Sequence, residues 1–148
     1  MTRPAMSAAP SVESLLQANE RFYRVFESLN FDAMAALWEK SDRLYCVHPG
    51  WPALHGERPV LDSWKRIIGN TTAMQFELSN VVAHVNGNLG VVTLFEQILT
   101  EVEDTRHTGA AFTTNLFAFD PQTGDWKLFH HHASHGPAPD VPDSGLLV

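Results

Sequence analysis

An α+β fold, with helices covering one face of a curved antiparallel sheet, is predicted by three features of this chain. Helix-period patterns occupy its first half, four long strand-like segments occupy its second half, and turn residues separate those segments. With 148 residues, 44% hydrophobic and 18% charged, the composition is that of one folded domain large enough to bury a real core. The expected organisation is a flexible Pro- and Ala-rich leader over residues 1–10, a domain over 11–135 and a Pro-containing tail over 136–148.

Between Ser11 and Ser28, the residues Leu15, Ala18, Phe22, Val25, Phe26 and Leu29 recur at helical spacing, which predicts an amphipathic helix. Asn30 is placed to cap a shorter helix over Asp32 to Glu39, with Leu29 and Met34 as the apolar pair bracketing its start. Leu44 to His48 reads as a short strand, stopped by Pro49-Gly50-Trp51-Pro52, and a loop is expected from there to Gly56. Pro59 suits the first turn of a third helix, in which Val60, Leu61, Trp64, Ile67 and Ile68 form the apolar face before Gly69-Asn70 ends it.

Strands are then expected from Met74 to Val85, Gly90 to Glu101, Thr108 to Phe119 and Trp126 to Ser134. Asn86-Gly87-Asn88 is a hairpin signal, Glu103-Asp104-Thr105 a polar tip, and Asp120 to Asp125 a longer turn.

The balance of charge narrows the partners. Ten Lys plus Arg against seventeen Asp plus Glu leave a formal charge of −7, with no basic run of five or more. Neither nucleic acid nor an anionic membrane surface is an expected partner. No apolar run reaches the roughly 18 to 20 residues that span a bilayer, and the N-terminal residues lack the apolar stretch of a secretory signal. Cys46 is the only cysteine, so no intramolecular disulfide can form, and a reducing, cytoplasmic setting is expected.

The closing segment, Trp126 to Ser134, carries His130, His131 and His132 on an expected buried strand. Strand alternation puts Trp126, Leu128, His130 and His132 on one face, and Lys127, Phe129 and His131 on the other. Behind Trp and Leu, the pair His130 and His132 is expected to line a partly polar cavity, while His131 faces outward or toward an interface. Asn115, on the preceding strand, is expected beside the pair. Glu96 follows the apolar run Val91 to Phe95; buried there, a carboxylate would have its pKa raised by desolvation and lowered again by an imidazole partner, and the alternative is that Glu96 and Gln97 mark the strand's emergence into solvent. Glu96 with His132 is therefore the expected acid–base pair, with Asn115 and His130 as hydrogen-bond donors to a developing enolate. His48 and Trp51 are expected at the cavity's roof, where Trp51 would stack on a flat ligand. Cys46 is expected as a small buried apolar residue, and Asp32 as ordinary first-turn chemistry of a helix.

A competing arrangement takes His48, His130 and His132 as three nitrogens and Glu96 as an oxygen around a zinc or iron ion. The preferred reading needs no metal and no cofactor. Phosphate-binding glycine loops, the Gly-x-Ser-x-Gly elbow and Cys-x-x-Cys pairs are absent from the sequence.

The ending Gly124-Asp125-Trp126-Lys127-Leu128 through His130-His131-His132-Ala133-Ser134, the strand Thr114-Asn115-Leu116-Phe117 and the segment Cys46 to Trp51 resemble the SnoaL-like branch of the nuclear transport factor two-like superfamily. The closing strand is also similar to that of calcium/calmodulin-dependent kinase association domains. The resemblance, from Val12 to Ser134, implies a cone: a strongly bent sheet wrapped around three helices, with an internal pocket at the open end. It also implies a homodimer through the sheet and a small hydrophobic or aromatic ligand. The superfamily holds isomerases, cyclases and dehydratases, so cofactor-independent proton transfer next to a carbonyl is the implied chemistry. A non-catalytic ligand-binding or oligomerisation module is the implied alternative.

Overall fold

The computed structural model describes residues 9–137, so most of the expected leader and most of the expected tail lie outside the described residues. Three helices and six strands follow in the order α1 (Val12–Ser28), α2 (Phe31–Ala36), β1 (Tyr45–Val47), β2 (Leu54–His55), α3 (Glu57–Gly69), β3 (Ala73–Asn86), β4 (Leu89–Val102), β5 (Thr105–Asp120) and β6 (Asp125–His135). The helices pack on one face of a single sheet of order β2-β1-β6-β5-β4-β3.

Each helix begins where its sequence provides a start. The Ser11 hydroxyl accepts from the Ser14 amide at 3.0 Å, and Ser14 Oγ accepts in return from the Ser11 amide at 3.2 Å, a reciprocal capping box. Helix α1 ends as Leu29 enters the left-handed region (φ 55), and Asn30 Oδ1 then accepts from the Ala33 amide to start α2. Asp32 is exposed in the first turn of α2, where a negative charge suits the helix dipole. In α3, Val60, Trp64 and Ile68 repeat at four-residue intervals and are buried.

The inner face of the sheet and the helices enclose an aromatic core. Phe22, Phe26 and Trp64 meet edge-on or tilted, and Phe76 of β3 lies 5.0 Å from Phe26. Gly90 is required where α1 lies across β4. A Cβ there would come within 2.6 Å of Leu15 Cδ1 and 3.0 Å of the Trp126 ring, so a side chain would force the buried Leu15 to repack.

Two features depart from an antiparallel meander. The segment expected to be loop before Gly56 contains β2, which pairs antiparallel with β1, and β1 itself runs parallel to β6. The second departure is a register shift in β6. Leu116 pairs with His130 but Phe117 pairs with Leu128, so Phe129 is the extra residue of a β-bulge. Beyond it the alternation changes phase. Trp126, Leu128, His131 and Ala133 are buried on the inner face, while His130 and His132 lie on the outer face. A second shift, between Ser79 and Val82 of β3, includes Asn80 at φ 53.

Candidate functional site

The inner face carries a polar chain in the middle of the apolar core. Along α1, Leu15, Asn19, Phe22, Tyr23 and Phe26 form one buried stripe, so Asn19 and Tyr23 are delivered to the sheet with the aromatic residues. In-register pairing of β4, β5 and β6 places Val92, Asn115 and His131 in one inner row, and Glu96 beside Ala111 in another.

Four hydrogen bonds link these groups. The Tyr23 phenol donates to Glu96 Oε2 at 2.5 Å. The Asn115 amide nitrogen donates to Asn19 Oδ1 at 3.0 Å and to the Tyr23 oxygen at 3.2 Å. Since that nitrogen is committed to two acceptors, Asn115 Oδ1 is the acceptor toward His131, 2.6 Å from its Nδ1. His131 therefore carries its proton on Nδ1 and keeps a lone pair on Nε2. The bonds from His131 through Asn115 and Tyr23 all run toward Glu96, and the bond to Asn19 is a branch from Asn115.

Burial sets the charge state of each member. Desolvation raises the Glu96 carboxyl from an ordinary 4.5 to about 7, even though the hydrogen bond from Tyr23 pulls it down. Tyr23 is raised well above its ordinary value by burial and by the adjacent carboxylate. His131 is lowered well below the ordinary imidazole value, first by burial and then by His48 and its neighbouring histidines. Thr113 Oγ1 is buried in the same region, without a hydrogen bond of ordinary geometry but close enough to the carboxyl and the phenol to lower the pKa of both.

His48 adjoins this chain from the β1 side, its ring 6.2 Å from that of His131. The Ser63 hydroxyl donates to the Val60 carbonyl at 2.6 Å, so it accepts from His48 Nε2, 2.9 Å away. Burial lowers the His48 pKa to about 4, leaving a neutral ring at pH 7. Trp51 covers it from outside, edge-on at 5.0 Å, with the Arg66 guanidinium 5.7 Å from the indole. Cys46 is fully buried, and burial raises its thiol pKa, as expected of a core residue rather than a nucleophile.

Several expectations need correction. Glu96 and Asn115 do face the interior, and His48 lies with them, deeper than a roof position. His130 and His132 do not, because the bulge at Phe129 turns them to the outer face. The expected pairing of Glu96 with His132 is therefore not formed, and neither is the contact of Asn115 with His130. His131 is the imidazole that Asn115 meets. The metal arrangement of His48, His130, His132 and Glu96 fails for the same reason, since the sheet separates its members. Among the described residues, no group of three or more His, Cys, Asp or Glu is arranged to hold a metal ion.

The interior is also more closed than a deep open pocket implies: Glu96, Asn115 and His131 are at most 3% exposed. Tyr23 and Asn19 were missed by the sequence reading. Their signal was present, since an Asn and a Tyr interrupting an apolar helix stripe need buried partners. Thr113 and Ser63 had no comparable signal.

Comparison with known proteins matches these features to a family. Residues 15–139 match the model of the SnoaL-like domain. A solved structure from Streptomyces avermitilis, described as a "putative dehydratase" of the NTF2-like family, is 36% identical, with a TM-score of 0.79 over 86% of this chain and 96% of that one. The S. rosetta CaMKII hub shares the fold at 20% identity, with a TM-score of 0.70 over 87% of this chain and 99% of that one. The Arabidopsis thaliana F-box protein SKIP8 is 24% identical over 84% of this chain, which spans only 50% of that protein's length. No helix among the described residues is long and apolar enough to cross a membrane. By its matched sequence and its helix-on-sheet architecture, the chain belongs to the SnoaL-like domain family of the NTF2-like superfamily.

Proposed function

We propose that this protein binds a small hydrophobic or aromatic carbonyl compound in the interior of its sheet and moves a proton next to the carbonyl, as an isomerase, cyclase or dehydratase does. The observation carrying this reading is the Glu96 carboxyl, buried on the inner face, held by the Tyr23 phenol at 2.5 Å and raised to about 7. A base of that pKa is half ionised at neutral pH and well matched to accept and return a proton. Tyr23 is the neighbouring hydrogen-bond donor, and the Thr113 hydroxyl is buried beside the same carboxyl. Neutral His131 and His48 contribute polarity without charge. The S. avermitilis relative's description as a "putative dehydratase" accords with the reaction class. Substrate enters by displacing the cover over His48, of which Trp51 is the half-exposed member. The reaction needs no cofactor, and buried free Cys46 accords with a cytoplasmic setting.

The test is solvent deuterium exchange at the α-carbon of aryl ketones and β-hydroxy ketones, followed by proton NMR. Exchange should rise with pH through about 7, as Glu96 ionises, and then level off. Glu96→Gln should slow it at least about 100-fold. Exchange that is absent from the wild type, or unchanged in the variant, would remove Glu96 as the base.

A homodimer through the outer face of the sheet is the second part of the proposal. Val82, Leu89 and Phe112 are exposed there, Phe112 at 55%, and Thr93, Phe95, Thr114 and Leu116 between them carry no charge. An uncharged apolar face on a chain of net charge −7 is a surface that two copies can bring together without repulsion.

A further inference from the structure

The bulge that brings His131 inward leaves His130 and His132 on the outer face, two residues apart and pointing the same way. Their rings are 6.4 Å apart between centroids and tilted by 35°. Both line a groove of about 580 Å³ whose floor and sides include Thr93, Phe95, Phe112, Thr114 and Ser134. Tyr45, the β1 register partner of His130, stacks on that ring at 4.9 Å with an interplanar angle of 16° and limits its rotation.

We propose that His130 and His132 form a two-nitrogen binding site for a borderline divalent cation of the Zn²⁺, Ni²⁺ or Cu²⁺ class on the outer face of the sheet. Two imidazoles at alternate positions of one strand stand on the same face, so the backbone already brings both toward one ion. Nitrogen–metal distances of about 2.0–2.1 Å require the rings to swing roughly 1 Å closer than they stand, a small side-chain rotation.

The donor set decides the class of ion. No carboxylate lines the groove, which disfavours Ca²⁺ and Mg²⁺, whereas neutral imidazole suits the later first-row metals. Water would complete the coordination shell, with the hydroxyls of Thr114 and Ser134 available as hydrogen-bond partners for bound waters. The site lies on the opposite side of the sheet from Glu96 and is independent of the proton-transfer reading, but its groove shares Thr93, Phe95, Phe112 and Thr114 with the face proposed for pairing, so it is the monomer that offers it to an ion.

Calorimetric titration of the full-length protein, purified without a histidine tag, with ZnCl₂, NiCl₂ and MgCl₂ tests the proposal. Titrations at two protein concentrations, with the oligomeric state measured at each, separate metal binding from pairing of the face. Zn²⁺ and Ni²⁺ should bind at one ion per His130–His132 pair, and Mg²⁺ should not. His130→Ala and His132→Ala should each weaken binding roughly tenfold or more, while His107→Ala, at the exposed β5 tip, should leave it unchanged. Circular dichroism of each variant confirms the fold. Absence of Zn²⁺ and Ni²⁺ binding, binding that survives the double variant, or equal binding of Mg²⁺ would overturn the proposal.

Discussion

His131 and His132 are adjacent in the chain, yet they occupy different chemical worlds. His131 is 3% exposed, hydrogen-bonded to Asn115 at 2.6 Å, and kept neutral by burial. His132 faces outward over a groove of hydroxyls and phenylalanine rings. The same contrast runs along β5, where Asn115 is fully buried within a polar chain and Thr114 lies on the outer face. In the polar chain of the inner face each group is held by a partner, so the loss of one strands another. On the outer face, water can replace what a substitution removes.

The largest test of that difference is a pair of substitutions at neighbouring positions. Asn115→Leu keeps the volume but leaves His131 Nδ1 and Asn19 Oδ1 without the partners they now have. It should cost about 3–5 kcal/mol in urea denaturation, from two or more stranded polar groups. Thr114→Val should change stability by about 0.5–1 kcal/mol at most. Equal effects would mean that the two faces do not differ as described.

The pH dependence of stability sharpens the comparison further. The folded Glu96 pKa of about 7 lies above the ordinary 4.5, so the folded chain holds a proton that the unfolded chain has released. This contribution is full below 4.5 and is lost as pH rises toward 7, on the order of 3 kcal/mol. His48 acts in the opposite sense. Its folded value of about 4 lies below 6.5, so its contribution is full above 6.5 and is lost as the pH falls to 4. Wild-type stability should therefore peak in mildly acidic solution. Glu96→Gln should remove the decline toward pH 8 and leave the acid limb in place, as read from denaturation midpoints across pH. A variant that retains the alkaline decline would assign it to another group.

The smallest stability effect is expected on the outer face. Phe112→Arg should alter monomer stability by only about 0.5 kcal/mol, yet shift a dimer toward monomer in analytical ultracentrifugation. A wild type that sediments as a monomer throughout the micromolar range would remove the proposed pairing of this face.

Helix positions were legible because their signals are local: Asn30 as a cap, Pro59 in a first turn, and apolar residues at helical spacing. The hairpin at Gly87 was legible too, since its φ of 61 is the conformation that glycine favours. Glu103 and Asp104 also turn through positive φ, at 48 and 67, although neither residue type marks a left-handed turn as clearly as glycine does. The site was legible only in part. Glu96 and Asn115 were recognisable as polar residues within apolar strands, but which histidine joins them depends on the bulge. Phe129 is neither Gly nor Asn, and nothing local marks it as the extra residue. It is set by long-range pairing, with Leu128 bonded through its amide to Leu37 and through its carbonyl to Glu39. Phe129 itself packs beneath the Arg43 guanidinium, 3.9 Å from its ring centroid.

Asn115 gives the polar interior a further property. It joins His131 to Tyr23 and Glu96 by hydrogen bonds, but a carboxamide has no ionisable hydrogen to relay as a hydroxyl or imidazole does. The connection therefore transmits dipoles and blocks traffic. Charge appearing on Glu96 polarises the amide and is felt at the imidazole, while the proton itself stays on the Tyr23 side. The core is divided into two compartments that share a field but do not share protons, with Asn115 as the insulator between them.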